Sequence, residues 1–347
     1  LRLPLPVPNP NAPPREPPAR GSLAAPPPGS HDPQGFMTRQ FLEQEAVEVH
    51  RVLVEALWEA ERNQARPIPF EIVSEASEPN AAAGCTRASR QPVMMITSAM
   101  LELCAGIAET KAYDEVAGTS TYEQYVGTVI DQVRAERPIE GPSPSLLSGP
   151  NALDAHKLAR QRHLFDQQIA FILGHELAHH YRGHTTCVAG RTEEQIQHDD
   201  LAAQLAHTVP PFGQPREVEA DMWGASNVLE AGRNRPGGTW TEEGGLLNLD
   251  FFRRLSDRGG AELIMAFLST HPPSAVRIPI VRSIAQQWEP GRRPPAMPRV
   301  GETSGQGIDL GGIRLPVDPS QLPIDPQRLP LPFPLPQGSP QPQPQQP

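Results

Sequence analysis

Apolar residues recur at three- and four-residue spacing in several stretches, and each such stretch predicts a helix. Phe41, Leu42, Val49, Val52, Leu53, Ala56 and Leu57 mark one over 36–65, closed by Arg66-Pro67. Further helices are predicted over 98–112, 151–184, 192–207, 217–231, 246–268 (broken at Gly259-Gly260) and 273–288, the last bent at Pro279. Two short runs rich in β-formers, 68–73 and 93–97, read as paired strands, and Pro69 confines the first to a sheet edge. Residues 118–150 read as a long loop. Helices dominate over a small sheet, so the fold class is α+β.

The helix over 151–184 carries the densest chemistry. No proline falls between positions 154 and 182, and Leu164, Ile169, Ile172, Leu173 and Leu177 keep helical spacing. Within it stands His175-Glu176-Leu177-Ala178-His179, the pattern H-E-x-x-H. Residues four apart share a helix face, so His175 and His179 can both turn a ring nitrogen to one ion about 2 Å away. Glu176, rotated by about 100°, falls beside such an ion, where a general base belongs.

Catalytic zinc takes three protein ligands, so a third must come from elsewhere. The extended pattern with a third histidine would need Gly at 182 and His at 185; the chain has Arg182 and Thr185 there, with Gly183 and His184 one place out. Asp199 and Asp200 offer no glutamate. The better candidate is Glu217, with Asp221 one turn on to accept a hydrogen bond from a ligating histidine. Val218, Met222 and Ala225 require a buried face on this helix, which leaves Glu219 on the solvent side.

Gly174-His175-Glu176-Leu177-Ala178-His179-His180, then Glu217-x-x-x-Asp221, then His271-Pro272 with Arg277-Ile278 resemble the M48 family of zinc metallopeptidases. A weaker likeness, at Pro79-Asn80-Ala81 and 93–101, matches the strand and helix start that precede that family's catalytic helix. The resemblance covers about residues 35–290. It implies a zincin-like fold and one Zn2+ per chain held by His175, His179 and Glu217. Glu176 would be the general base for zinc-activated water, then the proton donor to the leaving amine. Asp221 would support a ligand, His271 would lie near the site, and Arg277 would form a structural ion pair. The strand over 93–97 would align a peptide substrate by main-chain pairing. The stretch after Asn80 lacks the family's glycine-rich hairpin, and with the long 118–150 segment it bears on substrate preference.

Composition bounds the rest. The chain has 347 residues, 43 of them proline, and the prolines crowd both ends. The expected organisation is a Pro-rich disordered tail over 1–34, a peptidase domain over 35–290 and a second Pro-rich tail over 291–347. Repeated x-Pro around 329–336 favours polyproline II, which a partner's aromatic groove can bind. The net charge of −10 argues against nucleic acid, and no run of about 18 apolar residues exists to span a membrane. Cys85, Cys104 and Cys187 allow one disulfide with a free thiol, or three buried thiols; Cys187 near His184 reads as incidental. A first residue other than Met fits a processed form and favours a periplasmic or secreted home. The expected function is a zinc-dependent metalloendopeptidase acting on polypeptides. The rival is a non-catalytic or self-inhibited metal-binding chaperone or assembly factor on the same scaffold, with the 118–150 segment as a plug.

Overall fold

The computed structural model describes residues 37–76, 78–86, 90–185, 187, 210–233, 235, 239–258, 274–294, 308–309 and 314–315. The chain divides into two units, Leu1–Pro294 and Pro295–Pro347. In the second, β4 (Ile308–Asp309) pairs antiparallel with β5 (Arg314–Leu315).

The first unit begins with α1 (Arg39–Ala56), whose N-cap Thr38 accepts a hydrogen bond from the Phe41 amide. The single helix expected over 36–65 is two. Leu57 and Trp58 are extended, and α2 (Glu59–Ala65) follows. Leu57 is buried and the Trp58 indole donates to the Gly291 carbonyl, so two tertiary contacts hold the break open. Three strands come next: β1 (Phe70–Val73), β2 (Ala81–Cys85) and β3 (Pro92–Thr97). β1 runs parallel to β3 with Phe70 opposite Met94, and β2 runs antiparallel on the other side with Ala83 opposite Met94. The sheet order is therefore β1-β3-β2. As expected, β1 is an edge. The strand over 93–97 is the centre, however, so it cannot align a substrate; the other edge is β2, which the sequence analysis did not predict.

Thr97 ends β3 and caps α3 (Ser98–Ala117), accepting from the Met100 amide at 3.1 Å. The helix stops at Gly118, whose φ of 67° supplies the left-handed residue that the cap needs. The 118–150 segment is not a loop throughout. It contains α4 (Thr121–Arg134), with Tyr122, Tyr125, Val126, Val129, Ile130 and Val133 buried. A 3-10 turn (Pro150–Leu153) then leads to α5 (Ala155–Tyr181), capped by Asp154. α6 (Pro210–Gly232), α7 (Glu243–Asp257) and α8 (Ser274–Gln287) complete the unit. α4 packs on α3 and α7.

α5 is the axis of the unit. It packs against α1, α3, α6, α7 and β2, so from Leu164 to Tyr181 every residue is buried. A helix apolar on all sides belongs at the centre of a core. Several of the polar residues buried along it find partners there. Lys157, about 1 % exposed, donates to Glu109 at 2.8 Å and to Gln161 at 2.7 Å. α6 crosses α5 where Gly224 meets Gly174. A Cβ on Gly224 would lie 2.7 Å from the His175 amide nitrogen, so only glycine permits this approach. The expected helices over 192–207 and 259–268, and the candidate His271, lie outside the described residues. Among the described residues, no helix is long and apolar enough to cross a membrane.

Candidate metal centre

The i, i+4 spacing on α5 does what helical geometry requires. Nε2 of His175 and Nε2 of His179 lie 3.1 Å apart. From α6, the Glu217 carboxylate reaches both, with Oε2 3.3 Å from His175 Nε2 and Oε1 3.4 Å from His179 Nε2. All three residues are buried. Two imidazoles and a carboxylate suit zinc. A tetrahedral ion with bonds of about 2.0 Å holds its ligand atoms about 3.3 Å apart; the two Nε2 atoms are near that separation, and each Glu217 oxygen lies at a similar distance from one of them. The group can hold one metal ion.

Glu176 points beside this cluster. Its Oε2 accepts the Ala83 amide at 2.8 Å. In the β2–β3 ladder the Thr97 amide bonds Asn80 and the Thr86 amide bonds Gln91, so residues of even number on β2 face β3. Ala83 therefore turns its N–H outward, to the free edge, and that edge runs past Glu176.

Asp221 is fully buried one turn after Glu217. Its Oδ1 lies 2.9 Å from His175 Nδ1. Arg277 grips the same carboxylate from α8, Nε to Oδ2 at 2.9 Å and Nη2 to Oδ1 at 2.6 Å. The Asp221 carboxylate accepts from the Nδ1 proton, which leaves Nε2 of His175 as the nitrogen that faces the cluster. Burial opposes charge on Asp221, but Arg277 and His175 outweigh it and hold its pKa near 2. On His175, burial and Arg277 oppose a proton, yet the bonds to Asp221 and Glu217 prevail and raise it to about 9. Burial and the neighbouring His175 push His179 down to about 3. The metal-free pair thus holds a single proton amid carboxylates, a place that favours a cation.

The structure brings together His175, Glu176, His179, Glu217 and Asp221, and the buried Asp221–Arg277 ion pair accompanies them. Two further residues were not foreseen. Glu219 is not solvent-facing: its side chain is 16 % exposed and pairs with His184 and Arg182. His184 in turn touches His179. Cys187 forms a disulfide with Cys85 at the end of β2, the first of the two cysteine arrangements expected. Cys104 is the remaining thiol, buried in the core, and burial pushes its pKa up to about 12.

Residues 43–197 match the sequence profile of Peptidase family M48. The match supports membership of peptidase family M48. The M48 match takes in α1, the three strands, α3, α4 and all of α5, and so includes His175, Glu176 and His179; it ends before Glu217. No curated protein and no solved structure matches the chain. The M48 match agrees with the α+β, zincin-like fold and supports a metallopeptidase function, for which the family implies a polypeptide substrate.

Proposed function

We propose that the protein is a zinc-dependent metalloendopeptidase. The observation that carries this is the convergence of His175 Nε2, His179 Nε2 and the Glu217 carboxylate on one buried point, with Glu176 next in sequence to His175. His175, His179 and Glu217 would hold one Zn2+ within a peptidase domain spanning 35–290. A zinc ion bound there supplies a Lewis acid that polarises a carbonyl and acidifies water. Glu176, oriented by the Ala83 amide, takes the proton of the attacking water and passes it to the leaving amine. Asp221 fixes the tautomer and the ring of His175. Among the described residues no strand pairs with the outer side of β2, and this supports docking of an extended peptide alongside Glu176 by main-chain pairing. The Cys85–Cys187 disulfide is consistent with an oxidising setting such as the periplasm or the cell exterior.

Glu176→Gln tests the reading. Both proteins are expected to bind one zinc per chain, and only the wild type to cleave an unfolded protein. Zinc in both with cleavage by neither would favour a metal-dependent binding role instead.

A further inference from the structure

We propose that His184 and Glu219 are positioning residues for the metal site, acting through His179; this rests on the reading of His179 as a zinc ligand. α5 ends in a Schellman motif. Gly183 has φ 72°, its N–H reaches the His180 carbonyl at 3.0 Å, and the His184 N–H reaches the His179 carbonyl at 2.8 Å. This cap folds the residue after the glycine back over the residue three places inside the helix end. In most proteins that contact is apolar. Here it joins two histidines, with ring centroids 5.1 Å apart and the two Nδ1 atoms at 3.1 Å.

The chain of contacts continues outward. His184 Nε2 lies 3.0 Å from Glu219 Oε2. Arg182 donates to Glu219 Oε1 from Nε at 2.9 Å and from Nη2 at 2.7 Å. The Arg182 guanidinium also lies 4.4 Å over the Trp223 ring, so its own position is fixed. Proton counting leaves one arrangement with His184 neutral. The carboxylate of Glu219 only accepts, so His184 carries its proton on Nε2 and presents a lone pair at Nδ1. His179 must then donate from Nδ1, and its Nε2 keeps a lone pair aimed at His175 and Glu217. Each of the two histidines is thus fixed by a carboxylate held by an arginine. For His175 the carboxylate is in direct contact; for His179 it acts through an intervening imidazole. Such outer partners orient a ligand ring and raise its basicity.

The test is zinc affinity of the full chain, by competition with a chromophoric chelator, alongside melting of the metal-free protein. His184→Leu removes the acceptor at similar size. His184→Asn places a side-chain oxygen where Nδ1 was. His184→Leu is expected to weaken zinc binding by about 10- to 100-fold with the metal-free melting temperature unchanged. His184→Asn is expected to recover most of that affinity. Gly183→Ala, which meets no neighbour and only strains the cap, is expected to weaken zinc in the same direction as His184→Leu. If His179→Ala loses zinc while His184→Leu keeps wild-type affinity, the positioning role is wrong and the ligand set stands. If His179→Ala binds zinc like the wild type, the ligand assignment fails and the positioning role with it.

Discussion

Gly224 gives the sharpest test of how the site is built, because it sits where the helix carrying two candidate ligands crosses the helix carrying the third. An added Cβ would lie 2.7 Å from the His175 amide nitrogen, 2.9 Å from the Gly174 carbonyl carbon and 2.9 Å from the His175 Cα. Ordinary contact begins at 3.4 Å, so the shortfall is 3.4 − 2.7 = 0.7 Å, all of it against backbone. No side chain can rotate away, and α5 is enclosed on every side. α6 must move instead, and Glu217 and Asp221 move with it. Zinc sites tolerate errors of roughly 0.2 Å in ligand distance. Gly224→Ala is therefore expected to cost about 1–3 kcal/mol in the metal-free protein, as overpacked cores do. That is a melting drop of about 2–12 °C. Zinc affinity should fall in addition, by about tenfold or more. Gly127→Ala is the control, since a Cβ there on α4 meets nothing within 4 Å. It should stabilise by about 0.5–1 kcal/mol. Calorimetry and chelator competition on the two variants read both effects. A Gly224→Ala protein that melts and binds zinc as the wild type does would refute the close-crossing account.

Three further outcomes are expected. In the metal-free protein the His175–His179 pair holds one proton between about pH 3 and about pH 9, whereas two unfolded imidazoles near their ordinary value of 6.5 bind two below it and none above. Stability rises with pH where the unfolded chain binds more protons. The pair's contribution should therefore climb towards pH 6.5 and decline above it. Denaturant titrations of the wild type against His175→Asn/His179→Asn would show this as a maximum in the difference, and a monotonic difference would contradict it. Arg277→Met strips a fully buried carboxylate of its partner, so about 3–5 kcal/mol should be lost from the metal-free protein; an unchanged denaturation midpoint would show that Asp221 is satisfied without it. Cys85→Ser/Cys187→Ser opens a loop closed across 102 residues, and thermal melting should reveal a loss of about 2–5 kcal/mol.

Where helical periodicity alone decides geometry, the sequence was sufficient. His175 with His179, and Glu217 with Asp221, share faces because four residues make one turn. The same rule misled at Glu219. A helical wheel turns it away from Glu217, and that face was taken for solvent, but the tail of α5 wraps back to cover it. The signal was present in Gly183, which announces a cap that folds residue 184 onto residue 179. β2 escaped notice because Ala81-Ala82-Ala83-Gly84-Cys85 has little β-propensity; pairing with β3 imposes the strand. α4 was legible and overlooked, since Tyr122, Tyr125, Val126, Val129, Ile130 and Val133 keep helical spacing between flanking glycine and proline. The break at Leu57-Trp58 has no local breaker and exists for the sake of buried contacts.

The disulfide divides the candidate ligands between two topological compartments. His175, Glu176 and His179 lie inside the covalent loop from Cys85 to Cys187, and the disulfide ties that loop to the end of β2, whose Ala83 amide, two residues before Cys85, orients Glu176. Glu217 and Asp221 lie outside it. An oxidised chain that has not docked α6 offers only two imidazoles, which makes a weak zinc site. Tight metal loading thus requires the outer helix to be seated on the inner loop, and zinc content becomes a measure of completed folding, readable before any substrate is known.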